Sequence, residues 1–393
     1  MRAWPPLSPR SRWSSRFTAM VITAVTAAVI GLGACAGDNA GDRNASGHRS
    51  GAADSSGTGS VMTSTRVDIT GAGATFPYPL YARWFNEYAQ YANTRINYQS
   101  IGSGAGIRQV VARTVDFGAT DVPMTDAELA AAGMRILHIP TVVGAVAITY
   151  NLPDLTRPLN LSADVIADIF LGKLTKWNDD RLVALNPRVT LPASDILVVH
   201  RADGSGTSYI FSDYLTTVSP AWAAGPGRGK EVPWPVGLGG KGNEGVAGQV
   251  KQMPGAIGYL EVVYARQNRL PVAHIRNQAG RFVSPMPFEI ATAATTVLDR
   301  LASSSRTATD LRVSLVDAPG AQSYPIASFT WMLVAPDAIG AAKSQQLGAF
   351  LRWALLENGD IASTLGYVPL PTEAAARVVD QAEALLSPPA AHP

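Results

Sequence analysis

The sequence predicts an α/β protein with a largely parallel sheet, because two kinds of pattern alternate along most of the chain. Short runs rich in β-branched residues, typical of strands, alternate with apolar residues at helical spacing from Val67 onward. The order of strand, glycine-rich turn and helix also occurs three times. Of the 393 residues 47% are apolar, which is enough for a sizeable core and predicts two or three domains.

The first of these junctions lies near the start of the folded part. Residues 66–70 are expected to form a strand, and residues 71–75 (GAGAT) a turn. Residues 76–91 show the apolar spacing of an amphipathic helix. The predicted buried face of this helix carries Leu80, Trp84, Tyr88 and Tyr91.

The other two junctions repeat the same order. Residues 95–112 comprise a predicted strand, the turn GSGAG and the start of a helix, and residues 196–214 a predicted strand, the turn RADGSGT and a helix. Two further apolar, strand-like runs contain glycine: TVVGAVAITY at 141–150 and GAIGYLEVVY at 255–264. The chain therefore alternates strands and helices from the first junction to the last.

The two glycine-bearing runs are predicted to pass between two lobes. The first lobe then comprises residues 66–145 plus 265–386, and the second lobe residues 146–264. The alternative is two consecutive independent domains. The interrupted arrangement is favoured because no linker rich in Gly, Ser or Pro separates two halves after residue 65.

The three turns are candidate anion sites. A helix that starts directly after such a turn presents unpaired backbone N–H groups and the positive end of its dipole. Each turn also places hydroxyl groups near the helix start, although a single hydroxyl there is equally an ordinary N-cap. Three such helix starts in one chain favour an anion site. The hydroxyl residues are Thr75, Ser103, Ser205 and Thr207.

Residues 1–34 are predicted to be a secretion signal. Arginines precede an apolar run at 17–32, which is shorter than the ~20 residues of a membrane span, and small residues precede Cys35. The motif LGAC at 32–35 resembles the lipobox of bacterial lipoproteins, which implies cleavage before Cys35 and lipidation of its sulfur. The alternative is an uncleaved membrane anchor. Both interpretations, the cleaved lipoprotein signal and the uncleaved anchor, place the folded part outside the cytoplasm.

Residues 35–65 are predicted to be the lipidated cysteine and a flexible tether, because they are dominated by small and polar side chains. A coil of about 28 residues spans roughly 30 Å. The tail at 387–393 is expected to fray. Four of the 32 basic residues precede Cys35, which leaves 28 basic against 30 acidic residues, so no nucleic-acid partner is indicated.

Several motifs together carry a family resemblance. They are GAGATFP at 71–77, GSGAG at 102–106, DFGATDVP at 116–123, RADGSGTS at 201–208 and GLGGKGNEGV at 237–246. This set resembles the phosphate-binding protein of bacterial phosphate ABC transporters, the PstS family. The similarity runs from about residue 68 to 265 and returns at YPI (324–326) and GYVPLP (366–371). It implies a two-lobe periplasmic-binding-protein-like fold of type II, with a hinge of two crossing strands.

The resemblance also implies a phosphate site between the lobes. One lobe is expected to contribute Thr75, Phe76, Ser103 and Asp121, and the other to close with Arg201, Ser205, Gly206 and Thr207. The implied protein is a monomer on the outer face of the cell membrane that passes phosphate to the permease subunits of the transporter. The sequence departs from the family pattern at Gly104, where many relatives have serine, and at His200, where many have arginine.

Asp121 gives this site a physical rationale for phosphate. A carboxylate repels an anion that has no proton, but it can accept a hydrogen bond from the P–OH group of phosphate. Sulfate has no such proton at neutral pH, so the site is expected to discriminate against it. The alternative is a structural Asp121–Arg201 salt bridge. Asp203 could either orient Arg201 or cap the turn, and capping is the favoured interpretation.

Enzymes are the main rival class. The segment Gly204-Ser205-Gly206 does not match the G-x-S-x-G elbow of serine hydrolases, and no histidine shows the spacing of a catalytic triad or a metal site. A phosphatase would need a nucleophile or a metal cluster, and neither is evident. We therefore expect a binding protein without catalytic residues, metal or cofactor. A same-fold lipoprotein that binds another oxyanion, or that acts as a sensor or adhesin, stays open as an alternative.

Overall fold

An eight-stranded sheet forms the centre of the computed structural model, which describes residues 66–302 and 311–386. The predicted signal peptide, the Cys35 lipidation site, the tether and the tail at 387–393 lie outside the described residues. The strands are β1 (Val67–Gly73), β2 (Thr94–Ser100), β3 (Phe117–Thr120), β4 (Leu137–Tyr150), β5 (Asn160–Leu161), β6 (Leu197–Arg201), β7 (Leu238–Gly240), β8 (Ala256–Glu261), β9 (His274–Arg276), β10 (Phe282–Val283) and β11 (Ala327–Val334).

The order of strands across the large sheet is β2-β1-β3-β11-β4-β8-β6-β7. On one side β1 is parallel to β2 and β3, and on the other β6 is parallel to β8 and β7. The two strands between these groups, β11 and β4, are antiparallel to their neighbours. The prediction of an α/β protein with a mostly parallel sheet is therefore confirmed.

Strand β4 belongs to both halves of the sheet. Residues 137–145 pair with β11, and residues 146–150 pair with β8. Every side chain from Ile139 to Tyr150 is buried, because both faces of the strand are covered. A Cβ atom on Gly144 would lie 2.4 Å from the Phe76 ring, so only glycine fits at this point of the strand. The lobe boundaries proposed from the sequence stay a prediction.

The second glycine-bearing run is only partly a strand. Strand β8 ends at Glu261, whose side chain accepts a hydrogen bond of 2.7 Å from the Val263 N–H and caps the helix that follows. The prediction of a strand through Tyr264 is thus wrong, because a capping carboxylate starts a helix there. The small second sheet is formed by β10, β9 and β5 in that order.

Helices cover both faces of the large sheet. Their bounds are α1 (Tyr78–Tyr91), α2 (Ser103–Val111), α3 (Asp126–Ala132), α4 (Ala163–Phe170), α5 (Asp180–Leu185), α6 (Gly206–Val218), α7 (Pro220–Ala224), α8 (Gly242–Gln252), α9 (Val262–Asn268), α10 (Pro287–Ala302), α11 (Ala341–Arg352), α12 (Asp360–Leu365) and α13 (Thr372–Leu386). A 3-10 turn (Pro336–Ala338) and a π turn (Trp353–Glu357) flank α11. Within the described ranges, no helix is long and apolar enough to cross a bilayer.

The first junction shows how the sequence sets the local structure. Strand β1 continues to Gly73, further than predicted, because Gly71–Gly73 pair with both β2 and β3. Helix α1 starts at Tyr78, since the Pro77 carbonyl accepts from the Leu80 and Tyr81 N–H groups and Pro79 suits the first turn. Its apolar face packs into the core as predicted, except that Tyr91 in the last turn is 68% exposed.

Candidate functional site

The eight residues predicted for the anion site lie together where β1, β3 and β6 end. All eight are buried, although six of them have polar or charged side chains. Burial of so many polar groups is costly unless they are hydrogen-bonded, so their partners define the site. The residues are Thr75, Phe76, Ser103, Asp121, Arg201, Ser205, Gly206 and Thr207.

The first anion loop, residues 71–77, is held by three tyrosines from distant parts of the chain. Each tyrosine hydroxyl donates to one of three consecutive backbone carbonyls. The bonds run from Tyr98 to Ala74 (2.8 Å), from Tyr264 to Thr75 (2.6 Å) and from Tyr367 to Phe76 (2.6 Å). We call Tyr98, Tyr264 and Tyr367 the tyrosine clamp. Because the carbonyls are taken up by the clamp, the backbone dipoles of this loop are fixed.

The tyrosine clamp consists of permanent donors. Desolvation by burial raises the pKa of all three hydroxyl groups well above the usual value of 10.0. A hydroxyl with such a pKa stays protonated at neutral pH and keeps its donor proton for the loop carbonyl. The sequence did not reveal the clamp, because its members are spread over three segments with no shared motif.

The second anion loop, residues 201–207, is held by an ion pair. Arg201 Nε lies 2.8 Å from Asp203 Oδ1 and Arg201 Nη2 lies 2.5 Å from Oδ2, so the pair is bidentate. Burial alone would raise the pKa of Asp203, but hydrogen bonds and charge from Arg201 together with the Gly242 N–H outweigh it and lower that pKa. Asp203 therefore orients Arg201, and its Oδ1 also accepts from the Gly242 N–H at 3.0 Å, so the interpretation of it as a turn cap alone is incomplete.

The same geometry bears on the alternative of a structural salt bridge between Arg201 and Asp121. The guanidinium gives two of its N–H directions to Asp203, and Arg201 Nη1 donates to the Thr207 hydroxyl at 3.2 Å. Arg201 thus pairs with Asp203 instead of Asp121. Its side chain is only 1% exposed, and Nη1 is the guanidinium nitrogen that reaches a hydroxyl of the site.

The two halves of the candidate anion site touch directly. The Gly104 N–H donates to the Gly204 carbonyl at 2.9 Å, and the Gly206 N–H donates to Ser103 Oγ at 3.1 Å. A Cβ atom on Gly206 would lie 2.5 Å from Ser103 Oγ and 2.6 Å from Asp121 Oδ2. Glycine is therefore required at position 206, because the two halves meet there at backbone distance.

Asp121 is almost fully buried at the bottom of this contact. Its Oδ1 accepts from the Thr330 hydroxyl at 2.8 Å, and its Oδ2 accepts from the Ser103 hydroxyl at 3.4 Å. Desolvation raises its pKa to about 7, although Thr330, the charge of Arg201 and Ser103 each act to lower it. A carboxyl group with this pKa can accept or donate a proton near neutral pH.

Three further contributors to the site, besides the tyrosine clamp, escaped the sequence analysis. Thr330 and Ser328, on β11, hold the Asp121 side chain and its backbone carbonyl. Asn243 is fully buried, and its Nδ2 lies 2.7 Å from Thr75 Oγ1. Asn243 follows β7 and Gly242 at the start of α8, so a fourth junction of strand, glycine turn and helix was the available signal.

The hydroxyl residues differ in local role. Ser205 is the N-cap of α6, and its Oγ accepts from the Ser208 N–H at 3.0 Å. Thr75 and Ser103 are not N-caps, because Pro77 and Gly102 occupy those positions.

The site as a whole offers backbone N–H groups, hydroxyls, one buried guanidinium and one carboxyl group. This set suits a small oxyanion that carries a proton. Among the described residues, no cluster of three metal-ligating side chains is found.

Comparison with known proteins gives a consistent result. The PBP superfamily domain matches residues 50–358. The phosphate-binding protein PstS of Pasteurella multocida is 42% identical over 322 residues, covering 82% of this chain and 91% of the relative. PstS of Methanocaldococcus jannaschii is 37% identical over 326 residues, covering 79% and 84%. PstS3 of Mycobacterium bovis is 32% identical over 375 residues, covering 93% and 97%.

Solved structures agree at the level of the fold. A phosphate-binding protein from Stenotrophomonas maltophilia superposes with a TM-score of 0.59 at 20% identity, covering 81% of this chain and 93% of that one. A putative phosphate ABC transporter substrate-binding protein from Clostridium perfringens superposes with a TM-score of 0.56 at 17% identity, covering 77% and 100%. By the extent and identity of the sequence matches, this chain belongs to the PstS family of phosphate-binding proteins within the PBP superfamily.

Proposed function

We propose that this chain binds one inorganic phosphate ion outside the cytoplasm and passes it to the permease of an ABC transporter. The observation that carries the proposal is a buried carboxyl group, Asp121, among hydrogen-bond donors and one buried arginine. The PstS relatives are named for phosphate binding, which agrees with this chemistry.

The donor set supports an anion that is stripped of water. A buried oxyanion needs a hydrogen-bond donor for nearly every lone pair, and neutral N–H and O–H groups supply most of them. The tyrosine clamp fixes the loop that contains the Phe76 N–H, and the Gly206 N–H is held against Ser103 Oγ, to which it donates. Arg201 then supplies the single full positive charge.

The carboxyl group supports a protonated anion. Asp121 can accept the hydrogen bond of a P–OH group, whereas sulfate would leave a carboxylate facing an aprotic anion in a buried site. Sites that read a single proton or hydroxyl in this way discriminate by ~10⁴ to 10⁵. We infer that Asp121 is the residue that distinguishes phosphate from sulfate.

The remaining site residues are proposed to act from two sides. Thr75, Phe76 and Ser103 would bind phosphate from the half of the sheet that contains β1, and Ser205, Gly206 and Thr207 from the half that contains β6. Binding would then stabilise the closed arrangement, in which residues 66–145 plus 265–386 form one lobe and residues 146–264 the other. Strand β9, which this division assigns to the first lobe, pairs with β5 of the second lobe, so the two lobes would share the small sheet.

We further propose that the folded part is held at the membrane by lipid on Cys35 and by the tether at 35–65. A monomer on a flexible tether could reach a permease along the membrane surface. The proposal includes no catalytic step, since the site combines oxyanion donors without a positioned nucleophile.

Calorimetric titration of the purified protein with phosphate, sulfate and molybdate tests the function. Bound ligand is first removed by partial unfolding and dialysis. We expect one phosphate per chain, no heat with sulfate, weaker phosphate binding by Thr75→Ala, and a narrower gap between phosphate and sulfate in Asp121→Asn. A folded protein that binds molybdate or sulfate instead would assign the site to another oxyanion. Release of phosphate from an ester by the protein would favour a phosphatase.

A further inference from the structure

Asn243 has a side-chain orientation that the structure fixes without ambiguity. Its Oδ1 accepts a hydrogen bond of 3.0 Å from the Glu261 N–H. A backbone N–H can only donate, so the oxygen of the amide must face Glu261 and the NH₂ group must face the opposite way. The amide donors of Asn243 are therefore directed into the anion site.

Those donors meet two hydroxyls that come from the two halves of the site. Asn243 Nδ2 lies 2.7 Å from Thr75 Oγ1 and 3.3 Å from Thr207 Oγ1. The backbone N–H of Asn243 also donates to Thr75 Oγ1, at 3.3 Å. Arg201 Nη1 donates to Thr207 Oγ1 at 3.2 Å. Each hydroxyl oxygen thus accepts two hydrogen bonds.

The number of lone pairs on a hydroxyl oxygen determines whether these two threonines can still accept a hydrogen bond. A hydroxyl oxygen has two acceptor lone pairs and one donor proton. With two bonds accepted, the Thr75 and Thr207 hydroxyls have only their proton left to offer. A hydroxyl in this state can donate to an anion but cannot accept a proton from it.

We propose that Asn243 is a positioning residue that fixes the Thr75 and Thr207 hydroxyls as donors toward the bound anion. The inference rests on the proposed phosphate function and deepens it. If these hydroxyls cannot accept the proton of phosphate, that proton must face Asp121. Asn243 then contributes to specificity through the two threonines.

A purely structural role for a buried asparagine is the contrasting possibility, and the chain offers a matched control. Asn186 is 3% exposed and holds a loop in the same manner, since its amide donates to the carbonyls of Asn160 and Leu182 and accepts from the Asn160 N–H. It contacts none of the site residues through these bonds. Asn186→Ala therefore measures the cost of losing a buried amide without a change in the site.

The test is calorimetric titration with inorganic phosphate of wild type, Asn243→Ala, Asn243→Asp and Asn186→Ala. We expect Asn243→Ala to bind phosphate about tenfold more weakly, the scale of a lost buried hydrogen bond, and Asn186→Ala to bind within twofold of wild type. Asn243→Asp should lose about 100-fold, because a carboxylate would accept the threonine protons and repel the anion. Circular dichroism and thermal unfolding establish that each variant is folded.

A double-mutant cycle with Thr75→Val supplies the readout that a structural role would not change. If Asn243 acts through the hydroxyls, the penalty of Asn243→Ala should fall from about tenfold to about threefold when the Thr75 hydroxyl is absent. Equal penalties in both backgrounds would overturn the inference, as would unchanged phosphate binding by Asn243→Asp. If wild type itself does not bind phosphate, the proposed function fails first and the outcome is distinct.

Discussion

The first and second anion loops occupy equivalent positions after parallel strands, but they are held in place by different forces. The first loop contains no charged residue, and the neutral hydroxyls of the tyrosine clamp fix its carbonyls. The second loop carries Arg201 and Asp203, and their bidentate pair fixes it. A single site thus combines neutral hydrogen-bond geometry from one side with charge from the other.

The difference shows how a buried anion site can avoid excess charge. Arg201 is neutralised in part by Asp203, so it can stay buried before the anion binds. The first loop adds donors at fixed positions without adding charge that would need a partner. Asp121 is the exception on the neutral side, and its environment raises its pKa to about 7.

Removing the ion pair should have the largest effect. Asp203→Ala leaves the Arg201 guanidinium buried without its carboxylate, which is expected to lower the free energy of unfolding by about 3 to 5 kcal/mol and phosphate affinity by about 100-fold. Urea unfolding and calorimetry measure the two effects. Asp195→Ala removes the partner of the exposed Lys176–Asp195 pair and should cost less than about 1 kcal/mol. Similar costs for both variants would contradict the distinction between the loops.

The carboxyl group on the neutral side should make stability depend on pH. The folded-state pKa of Asp121, about 7, lies above the ordinary value of 3.8, so the folded protein binds the proton more tightly than the unfolded chain. Stability of the phosphate-free protein should therefore fall as pH rises, by about 2 kcal/mol between about pH 5 and pH 7 from this group.

Urea unfolding of Asp121→Asn beside wild type isolates this contribution. The free-energy difference between the two proteins should change with pH over that window and level off above it. A difference that is independent of pH would show that Asp121 ionises normally in the folded protein.

Breaking the tyrosine clamp should have an intermediate effect. Tyr367→Phe leaves the buried carbonyl of Phe76 without its donor, which should cost about 1 to 2 kcal/mol of stability and about tenfold in phosphate affinity. Tyr324→Phe is the control, because its hydroxyl donates to the Val146 carbonyl at 2.9 Å. That variant should lose similar stability but keep phosphate affinity. Equal losses of affinity would mean that the clamp has no special role at the loop.

The smallest effect is expected at the ion pair between Lys230, whose backbone carbonyl holds the second anion loop, and Glu128 of α3. Lys230 Nζ lies 2.7 Å from Glu128 Oε1, and the Lys230 carbonyl accepts from the Ser205 N–H at 2.9 Å. Both side chains are partly exposed, so Lys230→Met should cost only about 0.5 to 1 kcal/mol and about twofold in phosphate affinity. Calorimetry at low and high salt checks this, since the difference from wild type should shrink as salt is added.

The sequence was sufficient to predict the parts of the site that depend on local pattern. The strand, glycine turn and helix order located both anion loops, and motif resemblance added Asp121 and Arg201, which the structure brings together. Local pattern also misled, most clearly where Glu261 ends β8 by capping α9 within an apolar run that resembled a continuous strand.

What escaped prediction depends on contacts between distant segments. Thr330 reaches Asp121 across 209 residues, and nothing near either residue signals the contact. Asn243 was visible as part of a glycine-rich loop, but its role follows only from the Glu261 N–H that orients its amide. The partner of Asp203 was two residues away, yet the choice between cap and ion pair needed the side-chain geometry.

The tyrosine clamp also has a consequence for the order of events during synthesis. The hydroxyl of Tyr367 reaches the carbonyl of Phe76 across 291 residues, the longest of the three clamp contacts. A chain that emerges N-terminus first cannot complete its first anion loop until nearly its last helix has been made. Competence to capture the anion should therefore appear late and abruptly, and a nascent chain that ends before residue 367 should remain without it.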